Sequence, residues 1–403
     1  MIKQRKVNGL AETAPKKKRK YLYEVDIMRI IFIFGVLLNH TTTAFTHAMT
    51  DANGWAHMSL LATHLLIHFT RMGFMFITGL VLTLNYYHRN DWPTFFKKRF
   101  AGSGWPYLLW NIILLVASCL LGLPPFTWQT FWPTLTSAIL HGDQFYLYYI
   151  VVTLQLYVLF PFMVMLFKKV KNHNAILAVS ALLQLAIVAF IKYRYQFMDR
   201  SALPWWVASY GINVFTYQFY FIFGTYVSLH YNAVLAWLRK WHRWVIGITI
   251  AMSFGTVPYY FWNRNMLGFA HSYAVSPHQP YMFVYDTFMI LTVFFIGLKY
   301  ADWRKHGIPK GVETFVKNGS KVSFGIYLDQ TIGLTILGYL MPLIHLPDWG
   351  YLVMIPVGYA LVLGISFALA WFFYKVPPFG ILIGRPQWHI LKKNRKPKGA
   401  IAK

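Results

Sequence analysis

A chain of 403 residues with one cysteine and twelve acidic residues leaves little room for several kinds of chemistry. Cys119 stands alone, so no disulfide forms within the chain. It falls in the middle of an apolar run, a setting in which a reactive Cys nucleophile is not expected. Charged residues make up only 12%, against about 25% in soluble domains. A phosphate-cradling Gly-rich loop, a G-x-S-x-G elbow and a Cys-based metal site are all missing, as are a clear internal repeat and a soluble domain. What the chain has instead is apolar bulk: 57% hydrophobic and 19% aromatic residues. That composition reads as an all-α polytopic membrane protein.

Apolar segments can be drawn at 27–46, 61–86, 103–122, 144–167, 174–191, 206–230, 244–262, 281–298, 322–344 and 350–374, about ten spans in all. The formal charge of +26, and the run APKKKRKY at Ala14–Tyr21, would suit nucleic acid or nuclear targeting if the basic residues were spread at random. They are not. Only Lys192, Arg194, Arg200 and Arg264 fall in the loops of one side, and only Arg29 and Arg71 within spans. All other Lys and Arg lie on the opposite side, which the positive-inside rule makes cytoplasmic, together with both termini. Topology and anionic membrane lipid then account for the charge, and no nucleic-acid partner is expected. The first apolar run is too long for a signal-peptide core and has no small-residue cleavage site after it. The expected organisation is a basic cytoplasmic tail at 1–20, a membrane domain at 21–376 and a second basic cytoplasmic tail at 377–403.

Polar residues inside the spans carry the functional signal, because lipid makes them costly. In MRIIFIFGVLLNH, Arg29 and His40 are eleven residues apart. Eleven helical steps return to within about 20° of the start and rise about 16 Å, so both side chains share one face. Asp26, three residues before Arg29, is placed to pair with it. Arg29 alone would also be explained by snorkelling to the inner headgroups, whereas His40 has no such reach. His64, His68 and Arg71 form a second stripe at i, i+4 and i+7 in HLLIHFTRMGFMFITG, facing the bundle interior with His40. The His64/His68 spacing suits a metal, but no evident third ligand accompanies it, so no metal site is assigned. Gly73 and Gly79 would let a neighbouring helix approach closely. Asp329 and Gln330 enter the ninth span, where a carboxylate either pairs with Arg71 or Arg29 and orients His40 or is purely structural; Asp286 in the eighth span is similar, and Asp143 lies at the outer entrance of the fourth. Trp128, Trp132, Trp205, Trp206, Tyr259 and Tyr260 read as interfacial belts, with stacking on sugar rings as the alternative.

These residues meet a known pattern. The Arg29-x10-His40 segment, preceded by Glu24 and Asp26, resembles the membrane acyltransferase-3 family. Arg71-Met-Gly-Phe-Met-Phe-Ile-Thr-Gly79 is similar to that family's Arg-x-x-x-x-Phe-Phe-x-x-Ser-Gly segment, with Thr78 for Ser. FFKKRFAGSGWPYLLW with Arg99 and Pro106, LYVLFP at Leu156–Pro161, and Ser323-Phe-Gly-Ile-Tyr-Leu328 follow in family order. Two positions depart from it. Tyr146-Leu-Tyr-Tyr-Ile150 stands where the family often has a His-Leu-Trp-Phe-Leu run, and Asp329 or Gln330 stands where a His often follows Ile-Tyr-Leu. The stretch GDQFYLYYIVVTLQLYVLFP looks closer to the branch associated with poly-N-acetylglucosamine.

The resemblance implies an enzyme of the bacterial plasma membrane. Its acyl-CoA would be a co-substrate rather than a bound cofactor, and its acceptor a cell-surface glycan or lipid-linked sugar, with a polysaccharide synthase as a further partner. It implies His40 as general base or acyl carrier, Arg29 with Lys98 and Arg99 as contacts for CoA, and Arg71 as the group facing the oxyanion. Asp26, Glu24, His68, Tyr327 and Asp329 are expected in support. The rival reading of the same residues is a transporter or glycan exporter.

Overall fold

The protein is described by a computed structural model covering residues 21–122 and 126–385. The expected tail at 1–20 and most of the second, 386–403, lie outside the described residues. Fourteen α-helices follow one another, with no strand among the described residues. In chain order they are α1 (Tyr23–Ala48), α2 (Trp55–Ile67), α3 (Phe69–Tyr86), α4 (Trp92–Leu120), α5 (Trp128–His141), α6 (Tyr148–Lys169) and α7 (His173–Tyr193). The rest are α8 (Trp205–Ala208), α9 (Gln218–Leu229), α10 (Tyr231–Phe261), α11 (His271–Ala274), α12 (Pro280–Lys305), α13 (Lys310–Leu340) and α14 (Asp348–Lys375).

Eight of the ten expected spans correspond to helices long and apolar enough to cross a membrane, with α2 and α3 acting as one. The other two differ for identifiable reasons. The segment 206–230 is helical only at α8, in a short turn at Val214–Tyr217 and in α9, whose 12 residues rise about 18 Å. The segment 322–344 belongs to the 31-residue α13, which carries Lys310, Glu313, Lys317, Lys321 and Asp329 along its length. Helices α1 and α14 pack along this helix, and Asp329, the one charged residue inside that segment, is buried away from lipid.

Helix α1 is the axis of the bundle, packed against α2, α3, α12, α13 and α14. Its acidic first turn, with Glu24 and Asp26, suits the positive end of the helix dipole. Asp91 caps α4 by accepting from the Thr94 N–H at 3.2 Å, and Pro93 occupies the first turn, where no N–H is needed. The expected continuous helix over 61–86 is interrupted at His68, yet the backbone there stays helical (φ −59°, ψ −28°), so the His64–His68–Arg71 stripe keeps its register. Of the aromatic belt residues, Trp128 and Trp132 are exposed along α5. Trp206, Tyr259 and Tyr260 are instead tied to Gln155, Lys192 and His271.

The tightest contact lies between α3 and α9. A Cβ at Gly79 would fall inside the contact shell of the Phe221 carbonyl, and one at Gly224 inside that of the Phe76 carbonyl. Gly73 similarly admits the Phe32 ring of α1. The close approach expected at Gly73 and Gly79 is therefore present, and it seats α3, with Arg71, against its neighbours. Replacing Gly224 by Leu is expected to lower the thermal midpoint in detergent by several degrees, consistent with an overpacking cost of about 1–3 kcal/mol. Gly104→Ala, where no atom lies within 4 Å of the new methyl, should leave the midpoint unchanged or raise it.

Candidate active site

One cavity of about 420 Å³ runs through the middle of the bundle between α1, α3, α4, α6 and α13. At one end it is lined by Arg29 of α1, Lys98 and Arg99 of α4, Lys321 of α13 and Arg385. Towards the other end stand His40 of α1, His68, Arg71 of α3, Tyr146 and Tyr148 at the start of α6, and Tyr327 of α13. No carboxylate lines it among the described residues. The unbroken α1 carries Arg29 and His40 on one face, about 16 Å apart along the axis.

His40 is positioned by stacking. Its ring lies over Tyr146 with centroids 3.7 Å apart and planes 29° apart. Two features place Tyr146. The Tyr327 hydroxyl donates to the Tyr146 carbonyl, joining α13 to the start of α6. The preceding residue, Phe145, has φ of 48°, unique among the described non-glycine residues. A left-handed backbone at an aromatic residue costs about 1–2 kcal/mol, so the packed surroundings impose this turn.

Arg71 is a cation with no carboxylate partner among the described residues. Its Nη1 donates to the Tyr217 hydroxyl at 3.4 Å, and its guanidinium lies 5.0 Å from the centre of the Tyr148 ring. Aromatic faces and a hydroxyl hold the charge in place while leaving N–H donors for an anion in the cavity. Asp26 behaves differently. It pairs with Arg29 only at 4.0 Å, and its oxygens accept from Ser320 Oγ at 2.6 Å and the Tyr21 hydroxyl at 2.7 Å. It therefore anchors the start of α1 to α13 and sits behind Arg29.

The structure thus brings together His40, Arg29, Arg71, His68, Tyr327, Lys98 and Arg99 from four helices and the junction at His68. Three expected supports do not line the cavity: Asp26, which sits behind Arg29, Glu24 and Asp329. Glu24 accepts from the Tyr231 hydroxyl and packs on Gly297 of α12, because its position turns it away from the face that carries Arg29. Asp329 is fully buried beside Ser366 of α14, two residues beyond Tyr327 and hence on another face of α13. It does not line the cavity that holds His40. Contributors that escaped the sequence reading include Tyr146, Lys321 and Arg385, and Tyr148 and Tyr217, which hold Arg71. Tyr146 stood at a position marked only as a departure from the family pattern, and Arg385 in what reads as a tail.

A family profile described as "Acyltransferase domain" covers residues 22–371. The chain belongs to the acyltransferase-3 family. It is a multi-pass membrane acyltransferase. "Probable poly-beta-1,6-N-acetyl-D-glucosamine export protein" sequences of Staphylococcus aureus strains MSSA476, MRSA252 and MW2 are each 23% identical to it over 269 residues. That alignment covers 66% of this chain and 73% of each relative. No solved structure matches the chain significantly.

Behind Tyr217, in the connection before α12, lies His278, buried with both ring nitrogens unpartnered and its ring edge-on to Tyr210 and Tyr217. Burial, aided by the charge of Arg71, pushes its pKa from 6.5 down to about 3. An unfolded chain binds that proton near about 6.5. The stability due to a neutral His278 is therefore complete above that value and is lost as pH falls towards the folded value. Thermal stability should decline between about pH 6.5 and 4, and His278→Gln should decline less over that interval. Equal declines, followed by differential scanning fluorimetry, would remove His278 from the account.

Proposed function

We propose that the protein transfers an acyl group from cytoplasmic acyl-CoA to a hydroxyl of an extracytoplasmic or lipid-linked glycan, in a bacterial plasma membrane. The observation that carries this reading is the single cavity joining Arg29 and a basic end to His40 and Arg71. The basic end faces the cytoplasm under the positive-inside rule. The span of about 16 Å from Arg29 to His40 is on the scale of an extended pantetheine arm, so a thioester whose CoA is held at the basic end reaches His40.

In this reading His40 takes the proton from the acceptor hydroxyl as its oxygen attacks the thioester carbonyl. The tetrahedral oxyanion forms beside Arg71, whose guanidinium stabilises it strongly in a site removed from bulk water. The carbon–sulfur bond then breaks, and the CoA thiolate recovers the proton from the imidazolium. Direct transfer is the economical route when both substrates meet at His40; an acyl-histidine relay serves if they do not. Acetyl and succinyl donors both fit this scheme. The acceptor reading leans on the printed name of the S. aureus relatives, which points to poly-β-1,6-N-acetylglucosamine; a polysaccharide synthase in the same membrane would supply such a polymer. That name also favours a second reading, export of the polymer without covalent change.

Mass spectrometry of base-labile acyl groups on surface glycans separates the two. Deletion of the gene should remove an ester that wild type restores and His40→Ala does not, with the variant still present in the membrane. Esters that persist while surface polymer falls would favour export. If stacking positions His40, Tyr146→Phe should keep activity within a few-fold, whereas Tyr146→Ala should lower kcat by about 10- to 100-fold with little change in the KM for acyl-CoA.

A further inference from the structure

The stretch after α14 does not leave the bundle. Residues 376–385 return towards its basic end through a short helix at Phe379–Ile383. Trp110 Nε1 of α4 donates to the Leu382 carbonyl at 2.9 Å, and the Arg385 N–H donates to the Gly380 carbonyl at 2.8 Å. Ile383 packs on Gly325 of α13, where a Cβ would clash with it. Gly384, at φ 69°, lies against the Gly102 carbonyl of α4 so closely that no side chain fits. The segment is thus wedged between α4 and α13, and it delivers Arg385 to the cavity mouth beside Lys98, Arg99 and Lys321. These nine residues from 377 onward were expected to belong to a basic tail; their contacts make them part of the site wall.

Three of the cations gathered there, Arg99, Lys321 and Arg385, lie over aromatic rings and form no ion pair with a carboxylate among the described residues. Arg99 lies 4.9 Å from the centre of the Tyr86 ring, and its Nε is buried without a partner. Lys321 and Arg385 both lie over the ring of Tyr374, at 5.9 Å and 5.3 Å. Two like charges drawn to one ring repel each other, and an anion bridging them relieves that repulsion. These cations line a cavity with no lining carboxylate among the described residues, an arrangement that suits phosphate oxygens accepting charge-assisted hydrogen bonds.

Building on the acyl-CoA reading above, we propose that Lys321 and Arg385 clamp the phosphate groups of CoA, making the returning 376–385 segment a binding element for the donor. The pantetheine arm then runs from this clamp past Arg29 towards His40. Neither Lys321 nor Arg385 reaches the reacting atoms, so both serve binding rather than the chemical step.

The test uses the purified full chain in nanodiscs of neutral phosphatidylcholine, with equilibrium binding of CoA and of pantetheine measured separately. The double variant K321A/R385A should weaken CoA binding by at least about tenfold, the loss of one or two charge-assisted hydrogen bonds, and leave pantetheine binding unchanged. Gly384→Val, which keeps both charges but displaces the segment, should weaken CoA binding in the same direction. Lys317→Ala, an exposed lysine of α13 outside the cavity, should not. Retention of CoA affinity by the double variant overturns the clamp and leaves the acyl-CoA reading intact. Equal losses for CoA and pantetheine also overturn it, since the variant would then have damaged the cavity as a whole. Wild-type protein that binds no CoA removes both proposals. If the variant loses only binding of phosphatidylglycerol added to the nanodiscs, the phosphate read by these cations belongs to a lipid headgroup and the CoA clamp is overturned.

Discussion

Lipid offers a charged side chain neither hydrogen bonds nor counterions, and that constraint shapes this bundle around Arg71. The guanidinium has no carboxylate partner among the described residues; it rests on the Tyr148 ring and the Tyr217 hydroxyl. Each of those residues depends on further contacts. The Tyr217 hydroxyl donates to the Gly211 carbonyl at 2.7 Å, and Tyr148 opens α6 two residues after Tyr146, whose ring stacks on His40. A cation satisfied in this way keeps its charge uncompensated towards the cavity. The interior that holds Arg71 is thereby prepared for an anion or for an oxygen that becomes one.

Small residues bring these groups within reach of one another. Gly79 and Gly224 let α3 and α9 approach at backbone distance, and helix association inside a membrane rests on such packing because lipid chains are as apolar as the side chains themselves. The same logic governs the mouth of the cavity, where Gly102 and Gly384 meet. Polar surface is distributed to match. Leu182 and Leu183 of α7 and Val353 and Val357 of α14 are apolar and exposed, while α1 and α3 turn Arg29, His40 and Arg71 to the cavity.

Much of the site was legible because helix periodicity is rigid. Arg29 and His40 share a face of any continuous helix, and the His68/Arg71 stripe follows from the same arithmetic. Glu24 and Asp329 show where that reasoning stops. Both are acidic residues close in sequence to cavity-lining ones, yet a shift of two to five positions turns a side chain to another neighbour, Tyr231 for Glu24 and Ser366 for Asp329. Tyr146 lies outside helix periodicity altogether, since its placement depends on the left-handed turn at Phe145 and on a hydroxyl from α13.

The sequence by itself determined the class of the protein, the side of the membrane that its charges favour and the helix faces that carry Arg29, His40, His68 and Arg71. These follow from composition and from a fixed rotation per residue, which operate within single segments. Only the tertiary structure decided which faces meet, that one cavity links the basic end to His40, and that residues 376–385 fold back to contribute Arg385. Those outcomes depend on packing between segments far apart in the chain, where a glycine opposite a carbonyl or a ring opposite a cation sets the fit, and no local periodicity encodes the partner.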